Sequence, residues 1–343
     1  MAGGQPGILG DWIGVSALNK KENGMPPVYR TFSDYLKERY GEKVYKLPVG
    51  LPVSCPNRDG SCGNGGAGCT FCGSIGAGYE NLPADMTITQ QLAANKAHII
   101  PKYKAKKFIP YFQNFSNTYV APDVLRRWVR EAGAGDDIVA IYIATRPDCI
   151  SDEYLTMLQT EADALGIDIC IELGLQSVNV HSLVNINRGH TLAELIDAVL
   201  RIRRYGLQTC VHLILNLPWD DELDVIEDAK VLSALGVDQV KLHALYIVKG
   251  TVMAQQYEAG ELKLVSREDY ENRVIAFLEH LAPEIIVQRI IGRAPEANTL
   301  FSNWHTGWWK IRDHIINVMK QEGRYQGRLC DYLNGKAVRR FLD

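Results

Sequence analysis

The amino-acid sequence predicts an α/β fold: a partial, TIM-like (β/α)6 barrel over residues 25–250, followed by an α-rich C-terminal extension over 251–343. Three observations predict it. Six apolar segments of strand length recur through the first 250 residues, most of them rich in Ile, Val and Leu, as strands covered on both faces must be. Longer helical patterns separate them, and strands alternating with helices imply a parallel sheet. The repeat of roughly 30–40 residues per unit suits a partial barrel better than an eight-unit one.

The strand segments are 44–54, 107–114, 138–145, 168–175, 208–216 and 237–245. Helical patterns fill 87–101, 122–132, 151–164, 191–205 and 221–235. Asp123, and Ser151 or Asp152, stand where they can cap two helices; Thr191 opens a Thr-x-x-Glu capping box, and Gly206 and Gly236 close two helices. Beyond 250 the alternation fades into a tryptophan-rich turn (Trp304, Trp308, Trp309) and an amphipathic helix near 308–322. Residues 1–24 read as a disordered tag or extension, since Met25-Pro-Pro opens a more ordinary sequence.

Hydrophobic residues make up 46% of the 343 and charged residues 22%, the balance of a globular chain with a substantial core. No apolar run approaches the roughly 20 residues that cross a bilayer, and no basic-then-apolar leader opens the sequence, so no membrane partner and a cytoplasmic location are expected. The net charge of −3 is unevenly spread: residues 289–343 hold ten Lys/Arg against five Asp/Glu, a basic tail on an acidic body. Such a tail suits a polyanionic partner or an ordinary solvated helical face.

Four of the eight cysteines crowd together in Cys55-Pro-Asn-Arg-Asp-Gly-Ser-Cys62-Gly-Asn-Gly-Gly-Ala-Gly-Cys69-Thr-Phe-Cys72. The loop follows the first strand, on the side where a β/α barrel carries its active site, and its glycines free it to wrap a bound group. Two thiolates two residues apart grip one metal ion or adjacent irons of a cluster. Four cysteines permit structural zinc, although zinc sites usually use two close pairs and only one is present. Three cysteines on four irons would leave one iron open to a small-molecule ligand. On the cysteines alone, iron–sulfur is only modestly favoured.

Cys55…Cys69-Thr-Phe71-Cys72, with an aromatic before the last cysteine, resembles the cluster loop of the radical S-adenosylmethionine (SAM) superfamily. The gap after Cys55 is longer than usual there, as it is in the catalytic subunit of Elongator. Further matches to that subunit run in order: Thr145-Arg146-Pro147-Asp148, Glu172-Leu-Gly-Leu-Gln176-Ser177, Asn187-Arg188-Gly189-His190-Thr191, His212 with Asn216-Leu217-Pro218, Lys241-Leu242 and Lys249-Gly250-Thr251. They cover roughly residues 40–265 and look like the YhcC/YtqA-type radical SAM family, with a more distant likeness to oxygen-independent coproporphyrinogen oxidase.

The resemblance implies a radical SAM type of barrel and a [4Fe–4S] cluster on Cys55, Cys69 and Cys72 that reductively cleaves SAM to a 5′-deoxyadenosyl radical. A one-electron reductant such as flavodoxin or ferredoxin would supply the electron. It implies Gln176 on the SAM ribose and, twelve residues on, Arg188 on the SAM carboxylate, which a guanidinium meets with paired hydrogen bonds. Phe71, Gln113, Asn114 and His212 are further candidates near SAM. Two departures stand out: Tyr111–Asn117 replaces the glycine-rich second-strand motif, and Ala144 stands where the Elongator subunit has a glutamate.

For the substrate, the resemblance implies tRNA modified at the C5 side chain of a wobble uridine, with Arg324, Tyr325, Arg328, Lys336, Arg339 and Arg340 available for phosphates and bases. The alternatives are a small-molecule decarboxylation or rearrangement, and a non-catalytic iron–sulfur or zinc module, for which Cys62 would be the fourth ligand. Tyr111, Cys149, Lys241, His243 and Tyr246 lie at plausible strand ends, and none of them is singled out as catalytic. Cys170 and Cys210, inside strands, read as core.

Overall fold

The structure, a computed structural model, describes residues 27–62, 65–66, 68–74, 76, 78–293 and 298–341. The extension read over residues 1–24 lies outside them. All six expected strands form: β1 (Val44–Val49), β2 (Lys107–Phe112), β3 (Ala140–Thr145), β4 (Asp168–Gln176), β5 (Gln208–Ile214) and β6 (Gln239–His243). They pair in parallel, in sequence order. Two short antiparallel strands, β7 (Ile247–Val248) and β9 (Thr299–Phe301), sit apart from this sheet.

The main sheet has seven strands rather than six. β8 (Ile286–Arg289) adds to β6 in parallel, Val240 opposite Val287. Its four residues, Ile-Val-Gln-Arg, are too short to show a strand pattern in the sequence, yet they extend the sheet with chain from beyond residue 250. The result is a curled parallel half-barrel.

Helices alternate with the strands. Before the barrel comes α1 (Phe32–Tyr40), then a single turn α2 (Pro56–Asp59) in the cysteine loop, α3 (Ile88–Tyr103), α4 (Pro122–Gly133), α5 (Asp152–Leu165), α6 (Val180–Asn185), α7 (Leu192–Arg204) and α8 (Glu222–Leu235). The tail contributes α9 (Val252–Glu258), α10 (Arg267–His280) and α11 (Trp308–Gln321). The capping box of Thr191 and Glu194 forms as expected, and Gly236 ends α8 in the left-handed region. Asp123 does not cap α4: Ala121 holds the N-cap with Pro122 behind it, and Asp123 lies in the first turn, where its carboxylate faces the positive end of the helix.

The apolar residues form two cores on opposite faces of the sheet. The larger lies between sheet and helices. The smaller fills the lumen at the N-terminal ends of the strands, where Phe32 and Leu36 of α1 pack on Val44, Ile109, Ala140, Ile286 and the two interior thiols Cys170 and Cys210. Because side chains alternate along a strand, the next lumen-facing positions are Lys46, Tyr111, Glu172, His212 and Lys241, and these are polar. The floor of the barrel is greasy; its mouth is charged.

Candidate active site

At the C-terminal ends of the strands the lumen opens into a cavity of about 730 Å3. Cys55, Cys69, Cys72 and Phe71 line one side of it, and Gln113, Gln176, Arg188 and His212 also face it. Of the residues expected to hold the cluster or SAM, only Asn114 is absent from its wall. The Asn114 amide turns away to Leu51, accepting from the Leu51 N–H (3.3 Å) and donating to the Leu51 carbonyl (3.1 Å). The Asn114 and Phe112 carbonyls both accept from Asn117 Nδ2, each at 3.0 Å.

The cysteine loop is fixed against the turn that carries Arg188. Asn57 Nδ2 donates to the Asn187 carbonyl (2.7 Å) and to Cys69 Sγ (3.3 Å), while Asn187 Nδ2 returns a bond to the Gly68 carbonyl (2.7 Å). Thr70 N–H donates to the Ile186 carbonyl at 3.0 Å. Buried Arg146 completes the clamp, donating to the Arg188 carbonyl (2.8 Å) and forking onto Asp148 (2.8 and 2.6 Å). Segments more than 100 residues apart in sequence thereby place the Arg188 guanidinium beside a loop thiol, Nη1 to Cys69 Sγ 3.5 Å.

β4 shapes the other side. Its register shifts between Gly174 and Gln176, and Gln176 has φ +89°, a left-handed value unusual outside glycine. Arg188 Nη2 donates to the Gly174 carbonyl at 2.5 Å. Arg188 Nε is buried without a hydrogen-bond partner. A buried guanidinium with an open donor is suited to an anionic group such as a carboxylate.

The loop after Gln176 is held by two buried carboxyls. Asp228 Oδ1 accepts the Val178 N–H (2.8 Å), and Ser182 Oγ donates to Asp220. Burial raises both, Asp220 to about 6 and Asp228 well above the usual carboxylate range, and each leaves one oxygen without a partner.

Deeper in the lumen sits an ion network centred on Glu172, which joins His212, Lys241 and Tyr111 to residues that the sequence did not single out. Glu172 is buried and accepts from Lys46, from Lys241 Nζ (3.1 Å), from Gln288 Nε2 (2.9 Å) and from His212 Nε2 (2.9 Å). Burial opposes its charge, but Lys241 and Lys46 hold it well below the ordinary range. Burial lowers Lys241 to about 7, against the pull of Glu172; burial and Lys241 together lower His212 to about 4, so that this imidazole is neutral. Lys241 Nζ also lies 3.1 Å from Tyr111 OH. Tyr111, Lys241, His243 and Tyr246 all line the cavity; Cys149 does not.

Among the described residues, one trio of possible metal ligands lies within 4.8 Å: Glu172, Cys210 and His212. Two ammonium groups on the same carboxylate oppose a cation there. Among the described residues the loop cysteines form no such trio. Cys62 sits apart from the cavity, 3.5 Å from Arg146 Nη2 and 3.9 Å from Asp148 Oδ2.

Part of the basic tail pairs within its own fold. Arg324 and Arg328 both pair with buried Glu279, Lys336 pairs with Asp331, and Trp304 donates its indole N–H to the Val265 carbonyl (2.8 Å).

The half-barrel matches solved structures in fold. The archaeal Methanocaldococcus infernus Elp3 superposes with a TM-score of 0.62 at 16% identity, over 83% of this chain and 64% of that one. Methylornithine synthase (PylB) superposes at 0.50 and 12% identity, over 86% and 87%. Residues 237–321 match the Radical_SAM C-terminal domain. In sequence the chain is 37% identical to YtqA of Bacillus subtilis, over 90% of this chain and 95% of that protein, and 36% identical to YhcC of Escherichia coli, over 85% and 92%. A shorter match, 29% over 150 residues, reaches a tRNA uridine(34) acetyltransferase of Methanocaldococcus jannaschii, covering 43% of this chain and 26% of that protein. The chain belongs to the YhcC/YtqA family of the radical SAM superfamily.

Proposed function

We propose that the chain is a radical SAM enzyme that modifies tRNA at the C5 side chain of the wobble uridine. One observation carries the catalytic half of this reading: Cys55, Cys69 and Cys72 share a single cavity with Gln176 and Arg188, and the loop and the arginine are tied together by Asn57, Asn187 and Arg146. The open Arg188 donor is the feature that a SAM carboxylate would fill. When bound, a [4Fe–4S] cluster supplies the electron that breaks a C–S bond of SAM.

The protein's own residues do the rest. Cys55, Cys69 and Cys72 would hold three irons, and Arg188 the SAM carboxylate. Gln176, aimed by the bulge of β4, would hold the ribose, while Gln113, His212 and Phe71 border the same space. Burial at the lumen end keeps water from a reactive carbon, as hydrogen abstraction requires. Lys241, near neutrality and hydrogen-bonded to Tyr111, can give or take a proton at the cavity floor.

The tRNA half is supported by the match to tRNA uridine(34) acetyltransferases over 150 residues. The test is release of 5′-deoxyadenosine by the cluster-loaded chain, under SAM and dithionite, with and without bulk tRNA from cells that lack this protein. Stimulation by tRNA, with a new nucleoside in its digest, is the expected result. Turnover indifferent to tRNA would overturn the RNA substrate and leave a small molecule in its place.

A further inference from the structure

Asn57 is the second residue of the single turn α2 and is fully buried. Cys55 holds the N-cap of that turn in an extended conformation, Pro56 follows it, and Gly60 closes it at φ +86°. The Arg58 and Asp59 N–H groups both donate to the Cys55 carbonyl, at 2.8 and 3.2 Å.

The Asn57 amide has two acceptors. Nδ2 donates to the Asn187 carbonyl at 2.7 Å and to Cys69 Sγ at 3.3 Å. The Asn187 carbonyl decides which way the amide faces, because the reversed amide would set Oδ1 against another acceptor. Gly68 holds Cys69 to this partner: its N–H donates to the Asn57 carbonyl (2.9 Å), and its own carbonyl accepts from Asn187 Nδ2 (2.7 Å). Arg188 Nη1 is a second N–H donor to the same sulfur, at 3.5 Å.

A thiolate that accepts N–H bonds gives less electron density to the iron it ligates. The reduced cluster, the more negative form, gains more from such donors than the oxidised one. Burial keeps the effect from being screened by water. We propose that Asn57 is a positioning residue for the electron-transfer step: acting through Cys69, its amide raises the reduction potential of the cluster. The inference rests on reading Cys55, Cys69 and Cys72 as cluster ligands.

Redox titration of the anaerobically reconstituted chain without SAM, followed by the EPR signal of the reduced cluster, tests it. Asn57→Leu keeps much of the side-chain volume and loses the donor. Its cluster should be about tenfold less reduced than the native one at the same potential, a midpoint lower by about 59 mV for one electron. Asn187→Gly removes the bond to Gly68 but leaves the carbonyl that orients Asn57, and glycine accepts the φ of +51° found at 187; it should keep the native midpoint. Isotopic labelling of the asparagine side-chain nitrogen gives a second readout on the native chain. Pulsed EPR should show a weak nitrogen coupling to the reduced cluster that survives Asn187→Gly, and this decides alone if Asn57→Leu takes up no iron. A native midpoint in Asn57→Leu, an equal shift in both variants, or no such coupling in the native chain overturns the proposal and leaves the cluster ligands in place. A native chain that takes up no cluster counts against those ligands, and the proposal falls with them.

Discussion

Gly174 and Arg188 fit together so closely that a single methyl group would separate them: a Cβ at position 174 would lie 2.8 Å from Arg188 Nη2 and 2.9 Å from Gln176 Nε2. The two side chains proposed to hold SAM thus converge over a gap in β4. Gly174→Ala is expected to weaken SAM binding about tenfold or more, while costing about 1–3 kcal/mol of stability. Calorimetry with SAM, beside a denaturant melt, checks both; unchanged SAM affinity would show that neither residue depends on the gap.

Cys62 faces Arg146 and Asp148 rather than the cavity. Cys62→Ala should retain about four irons per chain after anaerobic reconstitution. Cys55→Ala, Cys69→Ala and Cys72→Ala should each lose the cluster. Equal loss in all four variants would point to a four-cysteine site.

Lys241 has a pKa lowered from 10.5 to about 7, chiefly by burial. The unfolded chain therefore binds more protons than the folded one between those values, and stability rises with pH across that window. Lys241→Met removes the effect, so the native chain should gain stability relative to this variant from pH 7 to pH 10. Denaturant melts at the two pH values check it; a constant difference would contradict the assignment.

Asp220 and Asp228 behave in the opposite sense. Their folded pKa values are raised by burial, so the stability they contribute is present below about pH 4 and lost as pH climbs through the folded values, near 6 for Asp220. Asp228→Asn still accepts from Val178 and cannot ionise. It should match the native chain near pH 4 and exceed it in stability at pH 8, again by denaturant melts.

The limits of what could be read beforehand are physical. β1–β6 are legible because strands covered on both faces read as apolar runs, and the helices between them carry their own caps and closing glycines. β8 escapes because four residues ending in Gln288-Arg289 carry no such pattern. Gln176 and Arg188 are recognisable by their interval, but the gap at Gly174 that lets them meet depends on a bulge in β4. Glu172 stands in an apolar run, and its partners Lys46 and Lys241 lie 126 and 69 residues away, so only folding reveals the network. Arg324 and Arg328 are legible as basic side chains, but their shared partner Glu279, 45 and 49 residues away, appears only in the fold.

The most direct test is anaerobic incubation of the reconstituted chain with SAM and dithionite, with 5′-deoxyadenosine quantified by mass spectrometry. The proposed chemistry predicts its formation by the native chain and by Cys62→Ala, its loss in Cys55→Ala, Cys69→Ala and Cys72→Ala, and a large reduction in Arg188→Ala. Tightly held zinc, or a cluster-loaded chain that leaves SAM intact, would contradict the central claim.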